Sequence, residues 1–489
     1  MMRHLPAIIF LLPLALAICM PLLGMRKQAW CRPLAIIAMA VMALVAFVNL
    51  VGVVQTGGIH YEFGGWAAPV GIEWVNDGLA SVMIMALSVM ALVCVIFISS
   101  VLFPNLGTRV VHFYTLVLLL VAGLVGIVFA GDLFNLFVFL EVSALCGYAL
   151  VGLAGGKALV AGFRYLILGT FGASLYLLGV GYFYAETGTL NMADLALRIP
   201  DLVSSKAVAV GILFMFIGLG IKMALVPLHG WLPDAYTYAP DRVTPMLASL
   251  VTKAALLGWV RILFWVLGAK AVIFQIPVLF LVGFLGAVAA LIGAFLALSQ
   301  EDIKRMFAYG GLSHIGLILV GISMGNHTGF SGGLFYLLTD AVMQGGLFFW
   351  AGALIHLYGI RTIHDLSRLR EAPGWLSGVL VVLAMSMIGI PPTGGFFGKW
   401  YIVLGAIEAR NYLAIVAVLI ATLLTLAYFV KLFERIFRDR VAGQVETVRD
   451  IPLAVRICLG TASASAVILG LLSDQVIGFL LRTAIPPGL

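Results

Sequence analysis

The sequence predicts an all-α polytopic membrane protein of about fourteen transmembrane helices. Three observations carry that reading. Apolar residues make up 63% of the 489-residue chain and charged residues 10%, where soluble domains hold about 45–50% and about 25%. Apolar runs long enough to cross a bilayer, about 20 residues each, follow one another from end to end. The basic residues between those runs concentrate in every second loop. Together these exclude a water-soluble multidomain enzyme, a disordered chain and a nucleic-acid binder. The net charge of +7 belongs to alternate loops rather than to a DNA-binding face.

Bounded by Gly, Pro or charge, the spans fall at 5–24, 33–54, 77–103, 110–130, 132–153, 160–185, 207–228, 242–267, 273–299, 303–324, 329–358, 375–405, 410–438 and 452–482. Arg3 before an apolar core gives the first run the look of a signal peptide. No clear small-residue cleavage site follows, and a second span comes after Arg26, Lys27 and Arg32, so the run reads as a retained helix. Loops after odd-numbered spans hold Arg26, Lys27, Arg32, Arg109, Lys157, Arg164, Arg242, Lys304, Arg305, Arg361, Arg368, Arg370, Lys431, Arg435, Arg438, Arg440 and Arg449. Loops after even-numbered spans hold Arg198, Lys206, Lys270 and Arg410. Seventeen against four places the odd loops in the cytoplasm and both termini outside. The 55–76 loop, with Glu62 and Glu73 and no Lys or Arg, suits the external side. The five cysteines, Cys19, Cys31, Cys94, Cys146 and Cys458, are scattered without a CxxC pair, which argues against an iron–sulfur or zinc site. No haem motif or phosphate loop is present, and the expectation is no cofactor and no metal.

After the loops are accounted for, Glu141, Lys222, Lys253, Asp340 and Lys399 lie deep in apolar surroundings. A charge at the bilayer centre costs about 2.5–3.5 kcal/mol, so five facing lipid would cost on the order of 15 kcal/mol. That exceeds the net stability of most proteins. They must face the protein interior, pair, or meet water. The plainer reading is snorkelling or pairing for assembly; the functional one is a proton or ion path.

Glu141 falls near the middle of its span and needs a partner from another helix, while Asp132, nine residues earlier, suits a helix cap. Lys222 stands among Gly218, Gly220 and Pro227, which predicts a helix break at 220–227. A break at membrane depth is tolerated only where it is buried in protein or wet. Lys253 lies about three turns into its helix among small residues that leave room for close packing. Lys399 follows Gly389, Pro391, Pro392, Gly394, Gly395 and Gly398, a second predicted break at 389–398. The two breaks occupy corresponding positions if helices 4–8 (110–268) and 9–13 (269–440) are five-helix repeats, after N-terminal helices 1–3 (1–109) and before helix 14 (441–489). An odd helix number inverts consecutive repeats, and paired broken helices in inverted repeats point to an ion path. Asp302, Lys304 and Arg305 read as a helix start. His314 is either a structural histidine or a relay. Asp340, after Thr339, is placed to bridge the lysines of the two halves. His229 and His356 read as structural residues near the faces.

The phrases GDLFNLFVFLEV, KMALVPLHGWLPDAYTYAP, EDIKRMFAYGGLSHIG and GIPPTGGFFGKW resemble the antiporter-like subunits shared by respiratory complex I, membrane-bound hydrogenases and Mrp-type cation/proton antiporters. GDLFNL with TGTLNMADLA at 187–196 most resembles the D-type branch of the Mrp subunits. The resemblance spans nearly the whole chain, which ends without the long lateral helix of the largest complex I subunit.

The resemblance implies that Glu141 is the family's essential glutamate, Lys222 the lysine of the broken seventh helix, Lys253 the relay lysine of the eighth, and Lys399 the twelfth-helix lysine near the exit. His314 matches a histidine that some members carry. Where many relatives read like THALFKA, this chain reads TDAVMQG, with Asp340 at a common histidine position and Gln344 at a common lysine position. The implied protein is a proton-translocating subunit of a multisubunit Na+/H+ antiporter in a prokaryotic plasma membrane. Its partners are other integral membrane subunits and lipid, its cargo protons and sodium. The alternative is the same kind of subunit in a membrane-bound hydrogenase or complex I-like enzyme, with the redox centres in other subunits. Sodium sites need several oxygens, and no compact oxygen cluster stands out in the sequence.

Overall fold

The structure is a computed structural model that describes residues 2–100, 109–202, 204–269, 271, 277–371, 373–437, 451–486 and 488–489. Lys270, Arg438, Arg440 and Arg449 of the charge pattern lie outside the described residues, as does the side chain of Arg370. In lipid a backbone must satisfy its own hydrogen bonds, so apolar runs become helices. The described helices are α1 (Leu5–Arg26), α2 (Cys31–Thr56), α3 (Gly78–Ser100), α4 (Arg109–Phe129), α5 (Leu133–Gly152), α6 (Lys157–Thr187) and α7 (Met192–Leu202). There follow α8 (Lys206–Lys222), α9 (Leu232–Tyr238), α10 (Thr244–Val266), α11 (Val278–Leu298), α12 (Ile303–Ile322), α13 (His327–Tyr358), α14 (Gly374–Ile388), α15 (Gly394–Glu408), α16 (Tyr412–Phe437), α17 (Leu453–Leu471) and α18 (Ser473–Thr483).

Twelve of these are long and apolar enough to cross a membrane. The pairs α8/α9 and α14/α15 form two further, interrupted spans, which accounts for the fourteen. Three details depart from the sequence reading. The 55–76 loop folds into an antiparallel hairpin, β1 (Ile59–Glu62) with β2 (Glu73–Asn76). The helix α7 lies between spans six and seven. The last span ends at Leu471, and α18 is a separate short helix.

Two faces emerge from the contacts. On one, His4 Nδ1 lies 3.4 Å from the Tyr61 hydroxyl of the hairpin. There too Glu73 accepts from Asn191 Nδ2 at 2.7 Å, and Gly78 packs on Thr483. Both ends of the chain, the hairpin and the start of α7 therefore share that face. On the other, Arg164 pairs with Asp234 (2.7 Å), Arg305 with Asp234 (3.4 Å) and Arg361 with Asp302 (2.7 Å). The loops that carry these residues meet there.

The helix caps follow the sequence. Asp132 accepts from Asn135 N at 2.6 Å and Asp302 from Arg305 N at 3.1 Å. α10 and most of α12 and α13 are buried inside the bundle. Lys253, His314 and Asp340 sit on these three helices, so their surroundings are protein rather than lipid.

Candidate functional site

The first break opens where α8 ends at Lys222 and closes at Leu232. Trp231 Nε1 donates to the Ile221 carbonyl at 2.7 Å, which satisfies one acceptor freed by the break. Lys222 Nζ reaches Glu141 Oε1 of α5 at 2.7 Å and the Tyr148 hydroxyl at 3.3 Å. The lysine side chain is 6% exposed and the glutamate 22%. The partner expected for Glu141 from another helix is thus Lys222, 81 residues away.

Aromatic rings connect this pair to α10. Tyr148 meets Tyr165 edge-on at 4.5 Å, Tyr165 stacks on Trp231 at 3.9 Å, and Trp231 meets Tyr236 at 6.3 Å. The Tyr236 hydroxyl donates to the Leu247 carbonyl at 3.1 Å. Leu247 begins a π-helical turn, Leu247–Val251, a feature frequent at functional sites. Just past it, Lys253 Nζ donates to the Ala248 carbonyl at 2.7 Å and lies 2.7 Å from Asp340 Oδ2. The other Asp340 oxygen lies 2.9 Å from His314 Nδ1, and the Tyr336 hydroxyl approaches the same nitrogen at 3.3 Å. Asp340 and His314 are fully buried. A buried ion pair survives only when its geometry and further hydrogen bonds offset desolvation; here Asp340 Oδ1 is held by His314 and Lys253 by the Ala248 carbonyl, while Asp340 Oδ2 and His314 Nε2 make no hydrogen bond among the described residues.

The second break places Lys399 differently from Lys222. α14 ends at Gly389, whose φ of 88° is the left-handed conformation glycine accepts. A Cβ on Gly395 would collide with the Ser386 carbonyl, so α15 can start this close to α14 only with glycine there. Lys399, on the second turn of α15, donates to the Met387 and Ile388 carbonyls at 2.9 and 3.1 Å. The break spans 389–393 rather than 389–398, and Lys399 caps the first half-helix from the second, whereas Lys222 ends the first half. The expected bridge through Asp340 is also corrected. Asp340 joins Lys253 to His314, while the hydrogen bonds of Lys399 go to main-chain carbonyls.

Three buried cations among the described residues escaped the sequence reading: Lys304, Arg261 and Arg242. Lys304, grouped there with the loops, is 1% exposed; it donates to Ala239 O at 2.7 Å and pairs with Asp241 at 2.9 Å. Arg261 makes a two-pronged pair with Asp77 at 2.6 and 2.8 Å. Its signal was a lone Arg in GWVRILFW, eight residues after Lys253. His356 lies 3.4 Å from Arg242. Chemically, the arrangement provides two acid–base pairs at hydrogen-bond distance, one partly open at Glu141 and one sealed at Asp340. Each can hold a proton on either partner.

A helical bundle with two interrupted spans and titratable pairs buried in its interior is a construction met in ion-translocating membrane subunits. The family described as NADH:quinone oxidoreductase/Mrp antiporter, TM matches residues 130–425, and the chain belongs to that family. It is 38% identical to the NADH-quinone oxidoreductase N subunit of Desulforudis audaxviator, covering 99% of each chain. It is 31% identical to the D-type Na(+)/H(+) antiporter subunit of Alkalihalophilus pseudofirmus, over 80% of this chain and 78% of that one. Among solved structures it resembles a chain of the archaeal membrane-bound sulfane sulfur reductase (TM-score 0.88, 28% identity, 98% and 97% covered). It also resembles a chain of the Mrp complex from a Dietzia species (TM-score 0.87, 25% identity, 98% and 96% covered). Both neighbours are chains of larger complexes, the first an archaeal respiratory membrane complex and the second the Mrp complex.

Proposed function

We propose that the chain is the proton-translocating subunit of a multisubunit sodium/proton antiporter. The Lys222–Glu141 ion pair at a helix break carries the reading. The break exposes backbone that water can reach, and the pair is one conformational step from releasing a proton. Opening the pair lets Lys222 give up its proton; closing it restores the ammonium. Protons then pass by way of Lys253, Asp340 and His314 and leave beside Lys399. Residues 110–268 and 269–440 act as inverted units, and the loop charges put both termini outside the cell. The relative named as a Na(+)/H(+) antiporter subunit and the Mrp neighbour support this reading.

A second reading has its own support. The relative matched over its full length carries a respiratory name, and the sulfane sulfur reductase neighbour belongs to a respiratory complex. In that setting the same residues pump protons for redox centres held in other subunits. The composition of the purified assembly separates the two: a flavin- or iron–sulfur-bearing chain selects the second. The shared core is tested by Glu141→Ala and Lys222→Ala in the assembled complex. Both stop proton transfer; transfer at the normal rate in either would overturn the scheme.

A further inference from the structure

We infer that a cavity on the Arg164–Asp234 face, between the head of α6, the end of α9 and the start of α12, binds a phosphate-type anion, carried either by the headgroup of an anionic phospholipid or by a soluble phosphate. Such a site goes beyond the transport reading and needs only that α5 and α6 cross a membrane, which fixes the turn between them at its surface.

The cavity holds about 440 Å³, within the range of about 300–1,000 Å³ for pockets that enclose a small ligand. Its wall brings together Gly155 and Lys157 from the α5–α6 turn, Tyr238 from the end of α9, Asp302 and Arg305 from the start of α12, and Arg361 from the loop after α13. Among the described residues that is three cations against one carboxylate. The carboxylate is already spent. Asp302 Oδ1 accepts from the Arg305 amide at 3.1 Å, and Oδ2 from Arg361 Nε at 2.7 Å. Asp234, outside the wall, serves Arg164 at 2.7 Å and Arg305 at 3.4 Å. Two carboxylates thus answer three arginines, and Lys157 is left over. It makes no ion pair among the described residues, and its ammonium stands 5.8 Å over the Tyr238 ring. The Arg305 and Arg361 side chains are 33% and 46% exposed, so an arriving anion can reach both.

The donors select the anion. An arginine fork meets phosphate oxygens in pairs, and a lysine adds a point charge. α6 begins at Lys157 and runs for 31 residues. Its first amides have no intrahelical partner, and the positive end of its dipole adds to the attraction. Gly156, at its cap position, has no side chain to occupy those amides. A Cβ on Gly155 or Gly156 would meet nothing within 4 Å, so the approach to the helix head is open. An anion seated here balances the surplus charge and ties the end of α9 to the start of α12.

The surroundings favour the lipid source. Leu159, Val160 and Phe163 stand exposed on the first turns of α6, one to two turns further into the span, where acyl chains run. Basic pockets between membrane helices hold anionic headgroups in this manner.

The test uses the purified complex in detergent and reads its melting temperature against dihexanoyl phosphatidylglycerol, dihexanoyl phosphatidylcholine or inorganic phosphate at constant ionic strength. Phosphatidylglycerol raises the melting temperature saturably, and phosphatidylcholine, which has no net charge, does not. A lipid source leaves inorganic phosphate with little effect at the same concentration; a soluble source makes it act at least as strongly. Each basic residue beside an anionic headgroup is worth about fivefold in affinity, so Lys157→Gln weakens half-saturation about fivefold and Lys157→Glu about 25-fold. Ala154→Glu places an acid at an exposed position of the wall; it weakens binding about fivefold and covers the case in which the Lys157 variants fail to assemble. Lys157→Arg retains binding. Glu141→Ala, which stops proton transfer, keeps it too, so failure of the relay and failure of this site are distinguishable. An anion effect equal in wild type, Lys157→Glu and Ala154→Glu overturns the inference. So does the absence of any effect in wild type, the result expected when a carboxylate of a neighbouring subunit fills the cavity.

Discussion

Removing either member of the Lys222–Glu141 pair tests whether it serves transport or merely assembly. Breaking a buried ion pair by deleting one partner costs about 3–5 kcal/mol, because the other charge is left uncompensated. The two deletions are unequal here. Glu141→Ala strands an ammonium whose side chain is 6% exposed, with the Tyr148 hydroxyl at 3.3 Å as its remaining partner. Lys222→Ala strands a carboxylate that is 22% exposed. Glu141→Ala should therefore sit at the upper end of that range and Lys222→Ala at the lower. The double variant removes both charges and should recover about 3 kcal/mol relative to additivity, at the upper limit for residues in contact. Thermal unfolding of the purified complex measures the cycle, and dye-reported proton uptake in proteoliposomes measures transport. Stability returns in the double variant but transport does not. A double variant that regains normal transport, or single variants as stable as wild type, would refute the reasoning.

Asp340→Asn removes the charge that holds both Lys253 and His314; proton transfer in proteoliposomes should fall about 100-fold or more, the scale of losing a proton-transfer group. Gly395→Val drives a side chain into the Ser386 carbonyl and should lower stability by about 1–3 kcal/mol. Gly460→Ala, in open surroundings, should leave the melting temperature unchanged. On the hairpin, Glu73 and His60 lie 2.6 Å apart. The hydrogen bond to Glu73 raises the His60 pKa, and the bond from His60 lowers that of Glu73. The raised histidine contributes fully below its ordinary value of about 6.5, and the lowered carboxylate contributes fully above about 4.3. The pair is thus complete from about pH 4.5 to 6.5 and fades as pH rises through the raised histidine value. Hydrogen exchange of residues 59–76, corrected for intrinsic rates, should show protection falling from pH 6 to 9 in wild type and no such step in His60→Gln. The effect is small because His60 is exposed.

Much of this architecture is legible without coordinates, for reasons that can be named. The spans follow from apolar length, since lipid admits no unsatisfied backbone. The breaks follow from Pro227 and from the Gly389–Gly398 stretch, since proline removes a donor and glycine loosens the turn. The caps at Asp132 and Asp302 follow from residue type at a helix start. Lys304 was not legible. It sits beside Arg305 at the edge of an apolar run, where a solvated cation looks the same, and only the approach of Asp241 from another loop buries it. Arg261 was hidden for a related reason: its carboxylate, Asp77, lies 184 residues away. The hairpin β1–β2 went unseen because its strands are four residues each.

The sequence alone determined which side chains are out of place in a bilayer, because the cost of a charge in lipid depends on residue type and depth and on little else. Tertiary packing decided what each of them touches. Glu141 finds Lys222, Asp340 chooses Lys253 and His314 over Lys399, and Lys399 turns back onto the carbonyls of its own broken span. Such choices turn on ångström-scale distances between helices far apart in the chain, and those distances are set by how side chains fill the space between helices.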